Sequence, residues 1–239
     1  MTAFGRPRRH YRLTGSTNDR ARELAESGAI SGTIVTATEQ SAGRGRSGRR
    51  WSAPAGTALL ASAILRPLDA RHVLLPLAVP LALCEAIEKM AAVRCEVKWP
   101  NDVWISERKV AGVLIEARPP EWGVIGVGVN VAIPDNAFPD DLRWPATSVG
   151  GGVSVDAVLA CLCGRLEKWV DAPEAEVLEA FRARDALRER PLRWQGAAGA
   201  SGSGAGRGAG IDDRGNLIVD TDAGERVALG AGEVQLALD

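Results

Sequence analysis

The chain has 239 residues, with 29 Lys and Arg against 30 Asp and Glu, and 46% of its residues are apolar. This composition excludes a disordered chain, and a formal net charge of −1 provides no overall attraction to nucleic acid or to an acidic membrane. The longest apolar run, residues 73–84, contains two prolines and is shorter than the ~20 residues of a membrane-spanning helix. The basic N-terminus is not followed by the apolar stretch of a secretory signal, so we expect a globular cytoplasmic protein.

Hydrophobic periodicity predicts alternating strands and helices in the first 90 residues. The predicted elements are an extended segment at 10–15, a helix at 17–27, strands at 33–38 and 59–65, and a helix at 73–90. Three apolar runs with short polar turns follow, as expected for antiparallel strands, at 95–105, 110–117 and 122–132. Two further helices are predicted at 156–170 and 174–187. The expected fold class is therefore α+β.

The composition changes near residue 190. Residues 196–210 are dominated by Gly, Ala and Ser, and short strands are predicted at 217–219, 226–229 and 234–238. We predict two domains, 1–189 and 190–239, of which the second is a small β-barrel. A flexible linker or tail is the alternative for this segment.

The segment GRGRSGRRW, residues 43–51, carries four Arg and three Gly and no acid. Glycines allow successive backbone N–H groups to converge on an oxyanion, and guanidinium groups add bidentate contacts. The Arg-rich segment is therefore a candidate for binding phosphate. The alternative is a solvated loop that binds RNA weakly through charge and stacking.

A second polar motif, KWPNDVW at residues 98–104, ends a predicted strand with Lys98, Asn101 and Asp102. A carboxylate near a cation suits a phosphate together with its Mg²⁺ ion, which prefers oxygen ligands. The alternative is a polar turn with a surface ion pair. Only four of the 29 cations are Lys, so Lys98 and Lys109 stand out as positions that need a compact ammonium, unless they merely add solubility.

Other polar residues interrupt predicted strands or precede the Arg-rich segment. In RKVAGVLIE, residues 108–116, Lys109 could neutralise a carboxylate, and Gly112 would allow close approach of a ligand. Asn130 in GVGVNV is expected to be buried, and its amide needs partners from the backbone or from a ligand. The four cysteines lack a CxxC pair and nearby His, so we expect buried reduced thiols rather than zinc or disulfides.

Taken in order, the motifs STN (16–18), EQ with AGRGRxGRxW, KWPND, KxAGxLxE, GxGxNV and a TS pair resemble those of the bacterial biotin protein ligases. The resemblance extends over residues 13–238. It implies a mixed sheet with helices like that of class II aminoacyl-tRNA synthetases, followed by a small SH3-like β-barrel. It also implies a two-step reaction, in which biotin and ATP form biotinyl-5′-AMP and a lysine of a biotin carboxyl carrier domain then accepts the biotinyl group.

The resemblance assigns roles residue by residue. The residues implied to bind biotin and the acyl phosphate are Ser16, Thr17, Asn18, Gln40, Gly43, Arg44, Gly45, Arg46, Lys109 and Gly112. Those implied to hold ATP or the adenylate are Arg46, Arg49, Trp51, Lys98, Asn101 and Asn130, with Trp51 stacked on adenine. The catalytic set is Arg46, Lys98, Lys109 and Asp102, and Asp102 is the candidate Mg²⁺ ligand.

Some members of this family carry an N-terminal helix-turn-helix domain of about 60 residues, but here the STN motif starts at Ser16. We therefore expect no sequence-specific DNA binding and no membrane partner, and either a monomer or a homodimer. Two alternatives remain at this stage, a lipoate or octanoyl transferase and a nucleic-acid-binding module built on the Arg-rich segment.

Overall fold

The computed structural model describes residues 3–140, 142, 144–195, 202–230 and 233–236. Seven strands form one mixed sheet. In chain order they are β1 (Arg8–Thr14), β2 (Ile34–Gln40), β3 (Ala58–Leu65), β4 (Glu96–Lys98), β5 (Asp102–Ile105), β6 (Arg108–Arg118) and β7 (Trp122–Asn130). Their order across the sheet is β1-β2-β3-β7-β6-β5-β4, and only β1 and β2 are paired in parallel.

Four helices cover the two faces of this sheet: α1 (Thr17–Glu26), α2 (Leu75–Met90), α3 (Val155–Val170) and α4 (Glu174–Arg182). The first is the crossover between the parallel strands and packs on the face formed by Val35, Ile64 and Val124. The neighbouring residues on the same strands, such as Ile34, face the larger core that contains the other helices.

The central strands are buried over their whole length because both faces are covered. Every residue of β3 and of β7 is buried. The first ten residues of helix α2 are all apolar, as expected for a helix enclosed by the sheet and α3. The body of the molecule thereby holds the N-terminal end of α1, the turn after β4 and the start of β6 in fixed positions.

Five strands form a second, antiparallel sheet. They are β8 (Pro191–Gln195), β9 (Ser203–Ile211), β10 (Leu217–Thr221), β11 (Arg226–Leu229) and β12 (Glu233–Leu236), in the order β11-β10-β9-β8-β12. Strands β11 and β12 lie at opposite edges, so within the described residues the sheet is open. It is consistent with the predicted small SH3-like domain, although it does not form a closed barrel. Residues 196–201 of the Gly-rich segment lie outside the described residues.

The turn between β9 and β10 contacts the body of the molecule beside the KWPND motif. The indole Nε1 of Trp99 donates to the carbonyl of Gly215 at 3.0 Å. Gly215 has a positive φ of 78° and lies against the side chains of Leu74 and Leu77. The second sheet therefore supports the strand end that carries Asn101 and Asp102.

The α+β prediction is confirmed, including an N-terminal strand–helix–strand unit and a small C-terminal sheet. The run 95–105 forms two strands instead of one, because the chain turns at 99–101. Helix α4 ends at Arg182 rather than near residue 187. None of the helices in the described part of the chain is long and apolar enough to cross a membrane.

Candidate active site

A cavity of about 610 Å³ opens between the Arg-rich loop, the start of α1 and the inner face of β6 and β7. Its lining brings together residues from all of the motifs that the sequence singled out except the TS pair. They are Ser16, Thr17, Asn18, Gln40, Arg44, Gly45, Arg46, Arg49, Trp51, Asn101, Asp102, Lys109, Gly112 and Asn130. All of the predicted site residues are in this set except Gly43 and Lys98.

Glycines form the floor of the cavity. Gly112 and Gly128 are paired across β6 and β7, and the indole of Trp51 rests directly on them. A Cβ at Gly128 would overlap the ring atoms of Trp51, and a Cβ at Gly126 would overlap the amide of Asn18. Larger residues at these positions would therefore displace side chains that line the site.

One end of the cavity carries neutral hydrogen-bonding groups. The Thr17 backbone N–H donates to Gln40 Oε1 at 2.7 Å. The Ser62 hydroxyl donates to Asn18 Oδ1 at 2.6 Å and lies 2.8 Å from Thr17 Oγ1. Ser16 occupies the N-cap position of α1, but its side chain makes no capping hydrogen bond. This end is pre-organised for an uncharged polar ligand group.

The other end of the cavity is strongly positive. The lining of the whole cavity contains five cations, Arg44, Arg46, Arg49, Arg50 and Lys109. Of these, Arg44 is paired with two carboxylates outside the lining, Asp19 and Glu116. Asp102 is the only acid among the described lining residues, and its Oδ1 lies 2.7 Å from Lys109 Nζ. The ammonium also lies 5.6 Å from the centre of the Trp51 ring. This arrangement favours a ligand that carries several negative charges.

Asn101 links the turn after β4 to both β6 and the Arg-rich loop. Its Nδ2 donates to the carbonyl of Val113 at 2.6 Å, while its Oδ1 accepts from Arg46 at 3.3 Å. The amide therefore orients Arg46, the one arginine in the catalytic set that the resemblance implies.

Asn130 is buried at the end of β7, as the sequence indicated. Its Nδ2 donates to the carbonyls of Thr147 at 3.0 Å and Lys109 at 3.4 Å. These contacts fit the structural alternative, in which the amide joins the 145–149 segment to the start of β6. The same side chain also lines the cavity, so contact with a ligand remains a prediction.

The two remaining predicted residues lie behind the cavity lining. Lys98 is buried with only 5% exposure, and its Nζ lies 5.1 Å from the Trp144 ring and 5.8 Å from the Trp104 ring. Gly43 is buried, and its carbonyl accepts from the Trp51 N–H at 3.0 Å. Roles for both in ligand binding stay predictions.

Several lining residues were not predicted from the sequence. Five of them come from the segment that follows β7: Phe138, Pro139, Leu142, Trp144 and Ala146. The available signal was a cluster of large apolar residues in a stretch with no strand or helix periodicity. Within the described residues, no group of three or more His, Cys, Asp or Glu side chains could hold a metal ion.

The comparisons with known proteins agree with the motifs. Residues 11–130 match the biotin/lipoate A/B protein ligase family, and residues 205–237 match the biotin protein ligase C-terminal domain. The bifunctional ligase/repressor BirA of Bacillus subtilis is 33% identical, over 90% of this chain and 70% of its own length. The biotin--[acetyl-CoA-carboxylase] ligase of Mycobacterium tuberculosis is 35% identical, over 92% of this chain and 85% of its own length.

A solved structure gives the same result. The biotin protein ligase of Aquifex aeolicus, in complex with biotin and ATP, aligns with a TM-score of 0.83 over 97% of this chain and 100% of its own. The identity between the two sequences is 26%. With the motifs, the fold and the cavity in agreement, the chain belongs to the biotin/lipoate A/B protein ligase family and, within it, to the biotin protein ligases.

Proposed function

We propose that the chain joins biotin to ATP to form biotinyl-5′-AMP and then transfers the biotinyl group to a lysine of a biotin carboxyl carrier domain. The observation that carries this proposal is the polarity of the cavity. One end offers uncharged hydrogen-bonding groups over a glycine floor, and the other is positive, in a lining that has five cations and one carboxylate. A neutral ring system fits the first end, and a nucleotide phosphate fits the second.

In the first step, a carboxylate oxygen of biotin attacks the α-phosphorus of ATP. The bond from that phosphorus to the bridging oxygen breaks, and pyrophosphate leaves with the electron pair. Negative charge accumulates on the α-phosphate oxygens, where fixed cations lower the barrier. We assign this role to Arg46, oriented by Asn101, and to Lys109, held by Asp102.

In the second step, the neutral amine of the carrier lysine attacks the acyl carbon, and AMP leaves with the electron pair of the C–O bond. The acyl group is already activated as a mixed anhydride, so the protein needs no nucleophile of its own. The side chains of the cavity hold the anhydride away from water until the acceptor lysine arrives.

Magnesium is expected to arrive with the nucleotide rather than as a resident ion. The described lining offers a single carboxylate, Asp102, which is already paired with Lys109. One carboxylate together with phosphate oxygens is a common way to bind Mg²⁺, whereas one carboxylate alone does not hold it. Asp102 therefore stays the candidate ligand for the ion carried by ATP.

The partner is inferred from the relatives. Those of M. tuberculosis and Paracoccus denitrificans are named as ligases that act on acetyl-CoA carboxylase. We extend a carboxylase carrier domain to this chain as its protein substrate. A cytoplasmic location, a monomer or homodimer, and the absence of sequence-specific DNA binding remain predictions.

Exchange of labelled pyrophosphate into ATP tests the first step. The purified chain should support exchange with biotin and should not with lipoate or octanoate. Transfer should then add one biotinyl group, seen by mass spectrometry, to a carrier domain and not to the same domain with its acceptor lysine replaced by arginine. Exchange that depends on lipoate instead of biotin would overturn the proposal.

A further inference from the structure

Two carboxylates from outside the Arg-rich loop neutralise its first arginine. Arg44 donates to Asp19 Oδ1 at 2.7 Å through one guanidinium nitrogen and to Glu116 Oε1 at 2.8 Å through the other. Asp19 lies in the first turn of α1, and Glu116 lies on β6. The contact therefore joins three parts of the chain around one edge of the cavity.

Both acids are anchored to the cavity wall. The second oxygen of Glu116 accepts from Asn18 Nδ2 at 2.8 Å, and Asn18 in turn accepts from Ser62. Arg22 adds a second cation, at 3.2 Å from Asp19 and 3.8 Å from Glu116. Two acids and two guanidinium groups thus form a neutral cluster, which is fixed on the protein side by the strand and the helix.

Arg44 also controls the base of the loop. Arg44 and Arg50 form an antiparallel bridge, and the Gly45 N–H donates to the carbonyl of Arg49 at 2.8 Å. The base of the loop is consequently a small hairpin. Arg46 and Arg49 lie within this hairpin and Trp51 follows it, so we expect the position of Arg44 to influence theirs.

Electrostatics on Arg44 agree with this geometry. Partial burial lowers the pKa of its guanidinium, but attraction to Glu116 and hydrogen bonds to Asp19 and Glu116 more than offset it, so the pKa is raised. Neither acid lines the cavity. Their contact with the ligand site runs through the loop.

We propose that Asp19 and Glu116 are positioning residues that close the Arg-rich loop over the cavity through Arg44 and set how long biotinyl-5′-AMP stays bound. The proposal rests on the proposed function for the identity of the intermediate. In this proposal Arg44 binds two carboxylates of the protein and holds the loop closed. It does not depend on an anion of the ligand for neutralisation. The cavity then keeps Arg46 and Lys109 for the phosphate.

The size of the effect follows from the exposure of the cluster. Arg44 is 39% exposed, Asp19 36% and Glu116 21%, so solvent and salt screen these contacts. Loss of one ion pair of this kind is expected to raise the loop-opening equilibrium about fivefold. Adenylate release should increase by a similar factor, since release requires the open loop.

Limited trypsin digestion without ligands tests the closing contact directly. Asp19→Asn and Glu116→Gln should each speed cleavage at residues 44–50 relative to wild type, and Asp19→Glu should restore slow cleavage because it keeps the charge. The matched control is Glu23→Gln, which removes an exposed acid from the same helix. Equal cleavage of wild type, Asp19→Asn and the control would overturn the proposal.

A pulse–chase experiment tests the consequence for the intermediate. Enzyme loaded with labelled biotin and ATP is freed of excess ligand and chased with unlabelled biotin and pyrophosphatase. Asp19→Asn should release label about fivefold faster than wild type or Glu23→Gln, while adenylate forms at an unchanged rate when both substrates saturate. High salt should shorten the half-life of wild type more than that of Asp19→Asn.

The two variants differ in how many contacts they disturb, so one of them can decide the test if the other does not fold. Glu116→Gln also touches Asn18, whereas the described hydrogen bonds of the Asp19 side chain are to Arg22 and Arg44 alone. Asp19→Asn therefore decides the proposal if Glu116→Gln fails to fold, and release at the wild-type rate would refute it. If wild type forms no adenylate at all, the proposed function fails, while the ligand-free digestion still tests the closing contact.

Discussion

Lys109 lies where the charge of the candidate site is concentrated. It is held by Asp102 at 2.7 Å and faces Trp51, and its own backbone is fixed by hydrogen bonds to the 145–147 segment. The side chain is therefore pre-positioned before any ligand binds. Removing it would take away the cation that is paired with Asp102 beside the phosphate site.

Replacing Lys109 by Met should slow adenylate formation. A charge-assisted contact contributes roughly 1.5–3 kcal/mol, so the single-turnover rate should fall about ten- to a hundredfold. Lys168→Met is the matched control, because Lys168 is a more exposed lysine in an ion pair with Glu85. A wild-type rate for Lys109→Met at saturating biotin and ATP would contradict the role given to this ammonium.

Asp185 makes the stability of the fold depend on pH. Burial raises the pKa of this carboxyl to about 6, although its Oδ1 accepts from the Leu187 N–H. Its Oδ2 is buried and has no hydrogen-bond partner among the described residues. Because the pKa is higher in the folded protein than in the unfolded chain, the protonated form favours folding. The contribution is complete below about pH 4 and is lost as the pH rises through about 6.

The measurement is the thermal midpoint between pH 4 and 7. In wild type, deprotonation of Asp185 should lower the free energy of unfolding by roughly 2–3 kcal/mol over this range, in addition to the effects of other titrating groups. Asp185→Asn should remove this component, whereas Asp213→Asn, at an exposed carboxyl, should not. If wild type and Asp185→Asn show parallel pH profiles, Asp185 is not the group responsible.

At the scale of elements, strand β7 makes room for the cavity because two of its lining residues, Gly126 and Gly128, have no side chain. Its glycines allow Asn18 and Trp51 to lie directly against the backbone. Gly126→Ala should push the Asn18 amide away and break its contacts with Ser62 and Glu116. We expect the KM for biotin to rise about tenfold, with a much smaller change in turnover at saturating biotin.

The control for this substitution is Gly164→Ala in α3, where an added Cβ has open space. Alanine is the better helix former, so this variant should keep its activity and gain a little stability. An unchanged KM in Gly126→Ala, with the Asn18 contacts intact in its crystal structure, would show that the strand tolerates the methyl group.

Hydrophobic periodicity predicted the long helices and strands. It gave wrong or incomplete predictions where hydrogen bonds to distant parts of the chain determine the structure. Strand β9 runs through a segment of Gly, Ala and Ser, which have little side-chain preference for a strand, and is held by ladder bonds to β8 and β10. Gly204 is needed there because the Trp194 ring lies across it. Helix α4 stops early because the following segment exchanges backbone hydrogen bonds with Val97.

At the scale of the whole molecule, contacts between distant parts of the chain could not be predicted from the sequence. The motifs named most of the cavity lining, since each carries its own polar signature. Nothing in the sequence indicated that Asp19 and Glu116 would meet at Arg44, because no local pattern links residues so far apart. The packing of Lys98 against Trp104 and Trp144 could not be predicted for the same reason.

The contact between the second sheet and the body leads to a further prediction. Trp99→Phe removes the hydrogen bond to Gly215 and should lower the free energy of unfolding by about 1–3 kcal/mol. It should also raise the KM for ATP, because Trp99 precedes Asn101 and Asp102. Trp122→Phe is the control, since the buried Nε1 of Trp122 has no hydrogen-bond partner in the described part of the chain. This variant therefore reports the loss of ring size alone.

The thermal midpoints and the KM values of both variants give the comparison. Trp99→Phe should lose more stability than Trp122→Phe and should be the one that weakens ATP binding. Equal losses, with no change in the KM for ATP, would mean that the second sheet does not support the nucleotide end of the site.

The five cations around the cavity belong to a chain whose net charge is −1, so the remainder of the chain carries the excess of acid. A polyanion that diffuses toward the protein is attracted by the cations at this opening. Such a field acts on collisions before any specific contact exists, and it orients the phosphate tail toward the Arg-rich end. The charge pattern thus gives the molecule a preferred direction of approach, which shows in association rates more than in equilibrium affinity.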